Sequence, residues 1–177
     1  MCSSDLFHSA PAVRLADAKP MHLGHVARAD AAWRLYAFAD ASGQRLRALA
    51  DFLVSSKSPV RRFTPERADI DSVIDVRAVF QQGHRDLKVE ALPSILLPRK
   101  GAFDLIDYEK AFSADLKPGR VGAQTAPCQD IFDLRGIDRK TGAIVVVRPD
   151  QFVSNVLPLD AHDDLAGFFG SFLLDRH

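Results

Sequence analysis

Gly142-Ala143-Ile144-Val145-Val146-Val147-Arg148-Pro149-Asp150-Gln151-Phe152-Val153-Ser154-Asn155-Val156-Leu157 is the stretch on which the fold turns. Its first six residues form a β-branched apolar run of the kind found in strands buried on both faces. Arg148 to Gln151 reads as a turn, because Pro149 fixes its own φ and has no N–H to give to a ladder. Phe152 to Leu157 then returns, so the segment predicts a β-hairpin. Beyond Pro158, Leu165, Phe168, Phe169, Phe172 and Leu173 recur at helical spacing. Asp160 stands where an N-cap is wanted, and Asp163, Asp164 and Arg176 suit the two ends of the helix dipole. The last third is therefore expected to run strand, strand, helix.

The first half predicts a complementary unit. Trp33 to Ala39 alternates apolar and aromatic residues as a strand does, and Asp40-Ala41-Ser42-Gly43 breaks it. Asp40 or Ser42 can cap the next element, a helix with Leu46, Leu49, Ala50 and Leu53 on one face. Ser55 to Pro59 is expected to end it. Ser72 to Phe80 predicts a second strand with Ile74, Val76, Ala78 and Phe80 on one face. Asp75 and Arg77 share the other face, where a weak ion pair is expected and nothing more. Gln81-Gln82-Gly83 closes that strand. Leu92 to Pro98 is apolar but bracketed by prolines, which excludes a central strand along its length. Lys117 to Thr125 predicts an exposed loop. The order is a βαβ half followed by a ββα half: an α/β, thioredoxin-like plan with a mixed central sheet flanked by helices.

Composition narrows the function. The 177 residues carry 23 Lys and Arg against 23 Asp and Glu, so the chain lacks the basic surplus of a nucleic-acid binder. No apolar run approaches a membrane span of roughly 18 residues. Two cysteines, Cys2 and Cys128, are too few for a disulfide framework, and a cytoplasmic setting is expected. Redox chemistry on this plan needs a thiolate at the start of the first helix. Residues 40–45 supply no cysteine there, and Thr141-Gly142-Ala143 supplies no proline before the hairpin strand. Thiol–disulfide exchange is therefore not expected, although a stand-alone redox or interaction module is the alternative reading. His22 and His25 have H-x-x-H spacing without a third ligand in sight. His84 is isolated, and His162, in the first turn of the last helix, is expected to be solvated. Asp104, Asp107 and Glu109 read as a solvated acidic loop. No G-x-G-x-x-G or Walker-type motif is present.

Several stretches resemble a known family. Ser9 to Pro20, Leu23-Gly24-His25, Trp33 to Phe38, Asp107-Tyr108-Glu109-Lys110, Phe132 to Asp138, and above all the Val145 to Val153 run are similar to the C-terminal domain of FAD-dependent phenolic hydroxylases, the phenol 2-monooxygenase family. The resemblance implies a parent enzyme of three parts, using FAD and NADPH to insert oxygen beside a phenolic hydroxyl. It implies that the flavin and substrate sites lie in domains absent from this chain. On that basis no catalytic, cofactor-binding or metal residue is expected here. The family-motif positions Asp107, Tyr108, Glu109, Arg135, Gly136, Arg148, Pro149 and Asp150 are expected to be structural. The implied partners are the missing FAD and substrate domains and, in the parent, further copies of the chain; neither nucleic acid nor membrane is expected. Where the family leads one to expect a glycine turn before Trp33, this chain has Ala31-Ala32. Residues 1–6 match what a common sequencing-adapter end encodes and are expected to be non-native. Residues 7–25 are expected to be a linker leading out of the missing catalytic domains, and residues 26–177 the domain.

Overall fold

The computed structural model describes residues 6–7, 10–115 and 129–175. Cys2, Cys128, Arg176 and the loop expected at Lys117 to Thr125 lie outside the described residues. Seven strands form the main sheet: β1 (Pro11–Arg14), β2 (Pro20–His22), β3 (Trp33–Phe38), β4 (Ile74–Phe80), β7 (Ala111–Ser113), β8 (Ala143–Val147) and β9 (Val153–Leu157), in the order β2-β1-β7-β4-β3-β8-β9. A separate two-stranded hairpin joins β5 (Arg99–Lys100) to β6 (Leu105–Ile106). The helices are α1 (Gln44–Val54), α2 (Pro59–Phe63), α3 (Ile131–Arg135) and α4 (His162–Gly170).

Both expected halves are present. β3 and β4 run parallel through α1, while β8 pairs antiparallel with both β3 and β9 and leads into α4. Each central strand is buried on its two faces, which is why its sequence reads as an apolar run. Leu35, Ala37, Ile74, Val76, Ala78, Ile144 and Val146 face one core with α1, α2 and α4. Tyr36, Phe38, Val79, Val145 and Val147 face a second core, closed by Phe7, Leu23, Ile131 and Phe132.

The sequence expectations fail at definite places. The stretch expected as a linker at residues 7–25 carries β1 and β2: β1 pairs with β2 on one side and β7 on the other, and Phe7, Ala12 and Leu23 are buried. Its strands are too short to show a period, so only the sheet reveals them. α1 ends at Val54 with Ser55 as its C-cap, as expected, but Pro59 then opens a further helix, α2, with Ser58 Oγ accepting from Arg61 N–H at 3.2 Å. Asp160 does not cap α4; its carboxylate meets Arg45 at 3.2 Å, and Ala161 takes the cap position without a side-chain bond. α4 ends at Gly170, so Phe172 lies beyond it and is 46% exposed. His162, expected to be solvated, is half-buried. Its ring stacks on Phe52 at 4.6 Å and 4°.

The outermost strands of the main sheet are β2, which begins at Pro20, and β9, where Asn155 Oδ1 accepts from the next N–H, that of Val156, at 2.9 Å. Ala31, which stands where a glycine turn was expected, has φ +61°. An L-residue there crowds its own Cβ against the backbone, so Ala31→Gly is expected to raise the unfolding free energy by about 0.5 kcal/mol, the relief exceeding glycine's entropic cost. Urea titration of the two chains measures it, and a loss of stability would refute it.

Candidate interaction site

The start of α1 is where a reactive thiolate would sit on this plan. Here Asp40 occupies it. Its carboxylate accepts from Leu46 N–H at 3.1 Å and from Ser42 Oγ at 2.5 Å, while Ser42 Oγ accepts from Gln44 N–H at 3.3 Å. Burial alone would raise the Asp40 pKa, but the bonds from Ser42, Leu46 and Arg45 outweigh it and hold the group below the usual carboxylate value. The N-cap position itself is taken by Gly43 at φ +71°, not by Asp40 or Ser42, but both side chains accept from first-turn N–H groups, and the positive end of the helix is met by a fixed negative charge.

The larger cluster is at the other end of β3 and β4. Arg34 on β3 and Asp75 on β4 are register partners. Arg34 Nε lies 3.0 Å from Asp75 Oδ2, and Arg77 Nε donates to the same oxygen at 2.9 Å. Lys110, directly before β7, sends its Nζ to Asp75 Oδ1 at 2.7 Å and to Asp71 Oδ2 at 2.5 Å. Lys100 on β5 meets the same Asp71 oxygen at 2.8 Å, and Asp107 lies 3.5 Å from Lys100 and 3.4 Å from Lys110. The Asp75–Arg77 pair expected to be weak is therefore part of a buried network. The reason is that the second face of β4 is covered too, so its charges can only be kept by pairing.

Asp107 and Glu109, expected in a solvated loop, are tied down. Asp107 Oδ1 accepts from Glu109 N–H at 2.8 Å, and Glu109 pairs with Arg14 of β1 at 2.6 Å. Asp104 pairs with exposed Arg99. Burial works to raise the carboxyl pKa of Asp71, but the bonds from Lys100 and Lys110 prevail and lower it. For Asp107, burial is likewise outweighed, by the Glu109 N–H and the charges of Lys110 and Lys100. Tyr108 remains 46% exposed.

This network anchors the β5–β6 hairpin. Lys100 holds one strand, Asp69 Oδ1 accepts from Gly101 N–H at 2.8 Å, and Asp107 N–H donates to Pro98 O at 2.8 Å. At the tip, Arg99 Nη1 bonds Asp104 through its side chain at 3.0 Å and its carbonyl at 3.1 Å. Phe103 and Leu105 project from it, 85% and 67% exposed.

The remaining motif positions gather around the N-terminal segment. Phe7 stacks on Tyr36 at 4.1 Å, and the Arg135 guanidinium lies 3.9 Å from the centroid of the same Phe7 ring. Burial pulls the Arg135 pKa down to about 10, against the charge of Tyr36. Gly136, at φ +61°, closes α3 with N–H bonds back to its carbonyls. Arg148 and Asp150 pair at 2.6 Å across the turn, and Gln151 O accepts from Phe7 N–H at 2.7 Å. The sequence did not single out Arg34, Asp71 or Lys110 as members of one site. For Lys110 there was a signal: a lone lysine abutting the apolar run Ala111-Phe112-Ser113-Ala114. His22 and His25 lie with ring centroids 5.5 Å apart, and among the described residues no group of three potential metal ligands forms.

With this geometry in view, the fold can be placed. It is thioredoxin-like: the thioredoxin domain of a thiol-disulfide oxidoreductase from Bacteroides vulgatus matches 98% of the chain and 99% of its own length with a TM-score of 0.55 at 12% identity. A thiol:disulfide interchange protein from Bacteroides sp. matches 98% of the chain and 91% of its own with a TM-score of 0.54 at 11% identity. At such identity the likeness is one of fold alone. The chain belongs to the family described as phenol hydroxylase, C-terminal dimerisation domain, whose model matches residues 4–177. It is 53% identical over 173 residues to 3-hydroxybenzoate 4-monooxygenase of Comamonas testosteroni, covering 94% of this chain and 26% of that protein. It is 31% identical over 170 residues to the FAD-dependent monooxygenase terD of Aspergillus terreus, covering 93% of this chain and 27% of the relative. The chain thus spans about a quarter of the length of these relatives.

Proposed function

We propose that this chain is the subunit-contact domain of a cytoplasmic FAD- and NADPH-dependent aromatic hydroxylase, with the flavin and substrate sites carried by the rest of the parent. The observation that carries the reading is the family match across residues 4–177, joined to coverage of only 26% of a monooxygenase at 53% identity. The chemistry of the described residues supports it. A flavin pyrophosphate needs a helix start with free N–H groups or a basic pocket. α1 begins against the Asp40 carboxylate, and α4 begins with Asp163 and Asp164. The polar cleft of about 310 Å³ beside the ion network is lined by six carboxylates against four cations. None of these fits the group. The buried charges bond one another and hold backbone in place, which suits a structural element. Among the described residues no helix is long and apolar enough to cross a membrane.

The test is direct. The purified chain should sediment as a dimer and, after incubation with FAD and removal of free flavin by gel filtration, show no flavin absorbance. Stoichiometric flavin retention would overturn the division of labour, and a monomer at every concentration would overturn the contact role.

A further inference from the structure

Two regions of the surface gather exposed apolar side chains. One is an open groove of about 620 Å³ lined by Trp33, Phe168, Phe172 and the turn residues Arg148, Pro149 and Asp150. The N-terminal segment runs beside it, since Leu6 bridges to Phe152 and Phe7 bonds Gln151. The other is the β5–β6 hairpin, with Phe103, Leu105 and Tyr108 exposed by 85%, 67% and 46%. Its attachments run instead to the Asp69 and Asp71 segment.

We propose that Phe103, Leu105 and Tyr108 are the apolar anchor through which two copies of this chain meet, hairpin against hairpin, about a two-fold axis. The proposal rests on the reading of the chain as a dimerisation domain and says which surface performs it. Three observations favour a second copy as the occupant. The first is rigidity. Strands as short as β5 and β6 are not stable alone, yet this pair is pinned by Lys100 to Asp71, by Gly101 to Asp69 and by Asp107 to Pro98. A tip held in place before contact loses little conformational freedom on association. The second is charge. In a two-fold contact each group faces the same surface of its copy, so an unbalanced charge would repel itself. Here both cations of the hairpin are paired, Arg99 with Asp104 and Lys100 with Asp71, so neither stands alone beside the apolar side chains. The third is composition. Interface anchors are enriched in aromatic residues placed centrally, the two-fold axis doubles every anchor, and two of the three here are aromatic.

Sedimentation velocity separates this proposal from the reading beneath it. Three chains are compared: the parent sequence, Phe103→Asp with Leu105→Asp, and Phe172→Asp in the other apolar region. Thermal melts followed by circular dichroism verify that each is folded. The expected result is a dimer for the first and third, and a dimer weakened by about 100-fold or more for the second. A doubly substituted chain that still dimerises, or a Phe172→Asp chain that dissociates, overturns the hairpin assignment while leaving dimerisation intact. A monomeric parent sequence overturns the dimerisation reading itself, and the hairpin assignment with it.

Discussion

Gly142→Ala is expected to cost about 3 kcal/mol or more, a large part of the 5–15 kcal/mol that holds a domain of this kind together. Gly142 sits at φ +65° where the chain turns into β8. A Cβ there would collide with the carbonyl oxygen of Phe38, lie 2.6 Å from Leu159 Cδ1 and lie 2.9 Å from the backbone nitrogen of Asp40. Two of these three atoms are backbone at the end of β3, an interior strand paired on both sides, so neither can yield cheaply. Gly136 provides the control, because it has φ +61° but nothing within 4 Å of the position a Cβ would take. Gly136→Ala should therefore carry only the backbone cost, about 1 kcal/mol. Urea denaturation of both variants isolates the steric part as the difference. Equal losses would refute the collision argument.

Lys110→Met is expected to be as damaging, for an electrostatic reason. The ammonium is 3% exposed at the side chain and lies between Asp71 and Asp75, 2.5 Å and 2.7 Å away. Methionine fills similar volume but leaves the carboxylates with less positive charge than they need in a buried setting. Removing one member of such a network costs about 3 kcal/mol. The pH dependence tests the cause. Folding lowers the pKa of Asp71, where the bonds from Lys100 and Lys110 outweigh burial, and of Asp107, where the Glu109 N–H does so together with the charges of Lys110 and Lys100. The unfolded chain therefore takes up protons first as pH falls. Their contribution is complete above the unfolded carboxylate pKa of about 4 and is lost as pH falls through the folded values. Without Lys110 that lowering is reduced and the acid loss is shallower. The gap between the two proteins should thus be widest at pH 7 and narrow towards pH 3. A gap that does not change with pH would assign the loss to packing alone.

Much of the architecture was legible because its signals are local. The Gly142 to Leu157 hairpin, the β3–α1–β4 unit and the Leu165, Phe168, Phe169 face of α4 each show their period within one window. The absence of cysteine at residues 40–45 could be read directly. What was missed depends on distance along the chain. β1, β2 and β7 have three or four residues each, and β7 is buried at every position, so no alternation marks them. Asp75 and Arg77 looked like an isolated pair because Arg34 and Lys110 come from 41 residues before and 35 residues after Asp75. His162 looked solvated because Phe52 reaches it from α1. Within Asp107-Tyr108-Glu109-Lys110 the most buried member, Lys110, is the one the sequence reading does not single out.

The margins of the main sheet carry a consequence of their own. An uncovered outer strand invites another chain to add a rung, and each addition exposes a fresh margin. Pro20 deprives one side of a donor, and Asn155 already occupies the N–H of Val156 on the other. A domain of a dimerisation family must also avoid forming rows. These two residues blunt both margins of the main sheet against that kind of addition.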